Sequence, residues 1–155
     1  MRPALLLLAF LAAACAGPSS FVGRSEGELR GQLGPPAGEY RHPDGSRSLA
    51  YPQGYYSGET FMADVDAGGV VRGARQVLVE ESFQRIEAGM SREDVLRVIG
   101  PPVDAMAFAR QREVSWEYRF TDLWGYRSLF FVNFDERGIV VSKLSQRIER
   151  DRFSR

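Results

Sequence analysis

The chain has one cysteine, Cys15, one histidine, His42, and one lysine, Lys143, among its 155 residues. A single cysteine excludes an intramolecular disulfide. A single histidine excludes a two-histidine metal site, and a Cys-His nucleophile pair is excluded once Cys15 is assigned to lipid, as read below. His42 stands beside Pro43-Asp44-Gly45, a turn sequence, and is expected to be exposed. A membrane-spanning helix needs about 20 apolar residues, and the apolar run from Ala4 to Ala14 falls short of that. Acidic and basic residues number 20 each, so there is no excess of positive charge to hold nucleic acid. Little is left for catalysis or for a cofactor, and none of either is expected.

What is present at the N-terminus is an export signal. Met1-Arg2 carries positive charge, residues 4–14 are apolar, and Leu11-Ala12-Ala13-Ala14 leads to Cys15 through small side chains. The segment resembles the bacterial lipobox. A lone thiol in an oxidising compartment is a liability unless it is modified, and lipidation of Cys15 gives it a use. One acyl chain binds a membrane only marginally, at about 0.8 kcal/mol per buried methylene, and firm anchoring takes two or more. The multiply acylated cysteine of bacterial lipoproteins meets that requirement. Ala16 stands where an aspartate retains many such proteins in the inner membrane, so the expected location is the periplasmic face of the outer membrane. The alternative is a plain secretory signal with an incidental cysteine. On the lipoprotein reading residues 1–14 are removed and 15–19 form a tether. The remaining 141 residues carry 19 basic against 20 acidic side chains.

Internal repeats are sought before elements are assigned, and one is present. Residues 23–36, which end in Gly34-Pro35-Pro36, align without a gap on residues 89–102, which end in Gly100-Pro101-Pro102. Further on, Leu49-Ala50-Tyr51 matches Trp116-Glu117-Tyr118, residues 61–66 match 130–135, and each hairpin then turns through Gly69 or Gly138. The order is helix, Gly-Pro-Pro break, hairpin, two longer strands, twice over. We place the first, degenerate copy at 20–78, the second at 79–148 and a charged tail at 149–155, where Glu149 and Asp151 alternate with arginines.

The second copy has the better helix. Ser91 is placed to cap it, with Asp94 in the capping-box position, and Val95, Leu96, Val98 and Ile99 supply an apolar face. Gly100 is expected to close the helix in the left-handed conformation, and the prolines prevent it from resuming. Ahead of it, residues 79–88 read as a short helix with Phe83 and Ile86 on one face. In the first copy Gly27 and Gly31 each weaken the helix by up to about 1 kcal/mol. Residues 40–42 and 47–51 flank the Pro43-Asp44-Gly45 turn as a hairpin, and 115–120, 128–134 and 139–145 read as strands. The fold class is α+β, with short helices packed on antiparallel sheet. Trp116, Tyr118 and Phe130 lie inside strands and are assigned to the core.

Residues 86–95 (IEAGMSREDV), Gly100-Pro101-Pro102, Trp116-Glu117-Tyr118 and residues 134–140 (FDERGIV) together resemble the SmpA/OmlA (BamE-like) family of small outer-membrane lipoproteins, most strongly over 79–145. The resemblance implies a helix pair on a three-stranded antiparallel sheet and a place beside the subunits of the β-barrel assembly machinery. The family's best-known member has one such unit where this chain has two. In architecture alone, duplicated helices on antiparallel sheet also resemble the secreted β-lactamase inhibitory protein, so inhibition of a hydrolase is the second functional class. It would need no anchor at Cys15.

Asp64, Asp66 and Gly68 faintly suggest a calcium loop, but the closing glutamate of such a loop would fall at Arg75. A hairpin turn is expected instead. Binding candidates are Tyr55 and Tyr56, beside Gly54, and Trp124 and Tyr126, around Gly125, which sit at equivalent hairpin connections. Exposed aromatics are frequent interface anchors. The competing expectation is that these rings fold back onto their own sheet. The reading is a non-catalytic outer-membrane lipoprotein that binds or scaffolds partners in envelope assembly, with Trp124, Tyr126, Tyr55 and Tyr56 as its partner-facing set.

Overall fold

The computed structural model describes residues 18–148. The signal segment, Cys15 and the 149–155 tail lie outside that range. The elements are a 3-10 turn Pro18–Phe21, α1 (Glu26–Leu33), β1 (Gly38–Arg41), β2 (Arg47–Pro52), β3 (Thr60–Val65) and β4 (Val71–Gln76). They continue with α2 (Glu80–Gln84), α3 (Arg92–Ile99), β5 (Asp104–Phe108), β6 (Glu113–Thr121), β7 (Arg127–Phe134) and β8 (Val140–Arg147). The strands form two antiparallel four-stranded meanders, β1-β2-β3-β4 and β5-β6-β7-β8. The fold is α+β, as the sequence indicates. Each sheet has four strands where the family resemblance implied three, because a first hairpin strand, β1 or β5, is added at one edge.

The two halves use the same local devices. Ser25 caps α1 in a box with Glu28, and Ser91 caps α3 in a box with Asp94, which satisfies helix N–H groups that would otherwise lack partners. Each cap serine also bridges to the residue after a hairpin glycine, Ser25 to Val70 and Ser91 to Ile139. Both helices stop at a glycine with φ near +80°: Gly34 at φ 80°, ψ −170° and Gly100 at φ 76°, ψ −168°. The expected left-handed helix cap is therefore not formed. This extended positive-φ region is essentially open to glycine alone, and it turns the chain straight into the prolines. A tyrosine then secures the turn: Tyr118 Oη donates to Gly100 O at 3.1 Å, and Tyr51 Oη to Gly34 O at 3.5 Å. Burial of Tyr118, with Tyr40 nearby, pushes its hydroxyl well above the usual tyrosine range, so it stays a donor.

Alternation along each strand sends neighbours to opposite faces, and in the first sheet both faces are covered. Leu49, Tyr51, Ala63 and Val65 pack with Phe21 and Leu29 from the 3-10 turn and α1. Ala50 and Met62 point the other way and form a second buried group with Val77. The Gly100 end of α3 presses on that side: a Cβ there would lie 3.2 Å from Thr60 Cγ2 and 3.5 Å from Ala50 Cβ. The opposite flank of α3, Val95 and Ile99, packs with Phe83 and Ile86 onto Tyr118, Phe130, Val132 and Phe134 of the second sheet. The layers run α1, first sheet, α2 and α3, second sheet. Phe83 stacks on Phe130 at 4.1 Å. Trp116, Tyr118 and Phe130 join this core as expected.

Three expectations shift locally. α2 ends at Gln84, short of residue 88, and Lys143 Nζ donates to the carbonyls of Phe83, Gln84 and Ile86. Pro18 and Ser19, assigned to the tether, begin the 3-10 turn. His42 is half-buried, not exposed, because its Nε2 sits 3.0 Å from Ser48 Oγ.

Candidate functional site

Four of the six hairpin turns among the described residues share one geometry. In each, the residue before the turn donates its N–H to a carbonyl four residues on, and a glycine with φ near +80° receives the chain: Gly45, Gly69, Gly125 and Gly138. At three of them an aspartate, Asp66, Asp122 or Asp135, also accepts the N–H four residues ahead. Asp66 is further paired with Arg72, and Asp64 with Arg75 and the Ser48 hydroxyl. This makes the segment a turn and sheet surface, in keeping with the hairpin expectation.

The β6–β7 turn differs in what it carries. Asp122 Oδ1 accepts from the N–H groups of Trp124 and Tyr126, at 3.0 and 2.8 Å. Its Oδ2 takes Arg147 Nε and Nη2, at 2.9 and 2.7 Å. The Arg147 guanidinium lies over the Tyr126 ring at 4.2 Å, a contact worth about 0.5–1 kcal/mol at an exposed site. Glu80 of α2 accepts the N–H of Leu123. Partial burial disfavours the charged form of Asp122, but the Tyr126 N–H, the Arg147 guanidinium and the Trp124 N–H together hold its carboxyl below the usual range. The backbone of the turn is thus fixed, while Leu123 and Trp124 project from it.

In the equivalent β2–β3 connection, Tyr55 and Tyr56 meet edge to face at 4.9 Å. Arg119, from β6 of the other half, lies 3.9 Å from the Tyr55 ring centroid, and its Nη2 donates to Tyr55 Oη at 2.6 Å. Its Nε is held by Glu117 at 3.1 Å. Gly58 brings this loop down on the β6 backbone, where a Cβ would meet Phe120 Cα at 3.1 Å. Tyr56 and Ser57 share a small cavity with Thr121, Arg127 and Ser128, at the base of the hairpin that bears Trp124. The two predicted pairs therefore lie at one end of the molecule.

Their exposure separates the two expectations. Trp124 is 81% exposed, Tyr56 70%, Tyr126 54% and Tyr55 47%. Trp124 and Tyr56 stand free of the core. Tyr55 and Tyr126 are half covered by an arginine and present one ring face. Sequence reasoning missed Leu123, which is 85% exposed, and the positioning groups Asp122, Arg119 and Arg147. The repeated Asp-x-x-Gly spacing at 66, 122 and 135 was the signal that could have found Asp122. Beside this end, a cleft of about 420 Å³ opens between the two proline turns, lined by Leu33, Pro35, Tyr51, Tyr55, Pro101 and Arg119.

Residues 76–143, which hold the β4–α2 connection through most of β8, match the family model described as the outer membrane protein assembly factor BamE domain. Over this segment the chain is similar to a BamE domain. The match leaves out residues 18–75, whose turn, helix and sheet run in the same order as those of the BamE-like domain. No curated protein matches the chain. Among solved structures, a putative osmotically inducible lipoprotein OsmE is 26% identical over 44% of this chain and 70% of that one, with a TM-score of 0.40. A putative β-lactamase inhibitor protein from Streptococcus mutans is 12% identical over 81% of this chain and 83% of that one, with a TM-score of 0.33. An extracellular protein containing an SCP domain, from Bacillus anthracis str. Ames, is 12% identical over 81% of this chain and 44% of that one, with a TM-score of 0.32. Likenesses this distant assign no function to the BamE-like domain or to the half that precedes it.

Proposed function

We propose that this chain is a non-catalytic binding or scaffold module of the bacterial envelope, anchored by lipid on Cys15 to the periplasmic face of the outer membrane and engaged in outer-membrane protein assembly. Residues 1–14 are the signal, 20–78 and 79–148 two units of one ancestral pattern, and 149–155 a solvated tail. The partners are envelope proteins, the subunits of the β-barrel assembly machinery first among them. The BamE-like domain supports the setting.

One observation carries the binding role. Tyr55, Tyr56, Leu123, Trp124 and Tyr126 are exposed at one end of the molecule, where Asp122, itself held by Arg147, pins the backbone of one turn and Arg119 holds the Tyr55 side chain of the other. Rigid aromatic side chains lose little conformational entropy on docking, and such anchors carry most of an interface's binding energy. The chain expressed in its native envelope and captured after mild crosslinking should bring assembly-machinery subunits with it. Replacing Tyr55, Tyr56, Trp124 and Tyr126 with alanine should remove them and leave the far-UV and near-UV circular dichroism of a folded domain. Unchanged capture by the variant would overturn the assignment of these four residues. Capture of a single soluble hydrolase would replace assembly with inhibition.

A further inference from the structure

The two sheets have four edge strands between them, β1, β4, β5 and β8. An unpaired edge offers a row of backbone N–H and C=O groups to any extended chain, and stable proteins blunt such edges with short strands, charges, bulges or inward-pointing charged residues. Three of the four edges are blunted. β1 has only four residues, and its Glu39 is paired with Arg30 and Arg41. β4 meets a register shift at Asp64/Val65 and carries Arg72 and Arg75. β8 meets a register shift at Asn133/Phe134 and turns Lys143 inward onto the end of α2.

β5, five residues long with its one charge, Asp104, at the first position, has neither a register shift nor an inward-pointing charged residue. It pairs with β6 from Asp104↔Glu117 to Phe108↔Glu113 without a shift, and among the described residues its backbone has no strand on the other side. Its sequence after Asp104 is Ala-Met-Ala-Phe, uncharged, and all five residues are exposed. Met106 and Phe108, 39% and 43% exposed, share the sheet face that no helix covers. Ala105 and Ala107 on the other face leave room for larger neighbours. Charge frames the strand: Asp104 stands at one end, and Arg110 and Arg112 lie in the turn at the other. Arg112 is loosely held by Glu136 at 3.7 Å.

We propose that β5 captures an extended segment of another polypeptide and adds it to the second sheet as a fifth strand. The segment's every second side chain is apolar, to lie beside Met106 and Phe108, and oppositely charged ends match Asp104 and the arginines. Only an extended backbone satisfies a row of alternating donors and acceptors, and side-chain pockets on such an edge select alternate residues. This inference rests on the reading of the chain as an assembly module, where the natural occupant is a barrel strand before folding, apolar on one side and polar on the other.

The test uses the mature full-length chain and a dye-labelled peptide Arg-Val-Thr-Phe-Thr-Leu-Glu, followed by fluorescence anisotropy. Two further peptides are N-methylated at one or the other alternate set of backbone amides. The expected result is saturable binding that one methylated peptide keeps and the other loses, and that Met106→Lys weakens at least tenfold. The four-alanine loop variant should bind the peptide as the wild type does, so a failure here leaves the aromatic-loop assignment standing and a failure there leaves this one. Three results overturn the proposal: equal binding of both methylated peptides, absence of binding, or a dimer in sedimentation that Met106→Lys dissociates. If Met106→Lys does not fold, the methylated pair decides.

Discussion

Asp122 holds the most exposed loop of the molecule in place. Its carboxylate accepts four hydrogen bonds, from the N–H groups of Trp124 and Tyr126 and from Nε and Nη2 of Arg147. All four favour the charged form, and they outweigh the partial burial that opposes it. A carboxyl whose folded pKa is depressed contributes stability that is fully present above its unfolded pKa and is lost as pH falls through the folded value. The loss therefore sets in around pH 4, where free aspartate is about half protonated, and reaches lower pH than that. In an NMR titration the Tyr126 amide should move with a midpoint below about 3.9, the unperturbed aspartate value. In Asp122→Asn that step should vanish. A midpoint at or above 3.9 would mean that the carboxylate does not hold the turn. The aromatic residues of this loop were visible in the sequence because they flank a glycine between two strand-like runs. Asp122, Arg119 and Arg147 were not, since each acts on a residue that only the fold brings near; Arg119 lies 64 residues from Tyr55.

At the scale of the element, α3 was the most legible part of the chain. Ser91, Asp94, the apolar positions 95–99 and the Gly-Pro-Pro stop all act within a few residues of one another, and the capping box and the stop both form. α2 was less legible because its end is set at long range: Lys143, some 60 residues on, takes the carbonyls of Phe83, Gln84 and Ile86. β5 was not singled out by composition, since alanine and methionine are weak strand formers, and its pairing is dictated by β6. The role of Gly100 was half read. Its need for positive φ was evident, but its contact with the first sheet was not. Gly100→Ala and Gly34→Ala should each cost about 1–3 kcal/mol from the backbone alone. Gly100→Ala should cost more, because its Cβ would press Thr60 Cγ2 at 3.2 Å, whereas nothing lies within 4 Å of the equivalent atom at Gly34. Urea unfolding of the two variants measures the difference. Equal losses would show that α3 is not pressed against the first sheet.

At the scale of the whole molecule, α3 is the shared layer. One flank completes the core of the second sheet and its glycine end covers the first, so the two halves present one continuous body with the aromatic loops at one end and β5 at an edge. The repeated order of elements could be read from the aligned Gly-Pro-Pro segments; the stacking could not, because Ala50 and Met62 look like ordinary alternating strand residues until the other half lies on them. Such a body suits a module that meets one partner through its loops and another through an open edge while lipid holds it at a surface. The most direct test of that account is intact mass and membrane fractionation of the chain expressed in its native envelope, beside Cys15→Ala. The account predicts a wild-type chain that is cut before Cys15, carries the mass of several acyl chains and sediments with outer membrane, and a variant that does none of the three. A wild-type chain that is soluble and unacylated, indistinguishable from the variant, would contradict it.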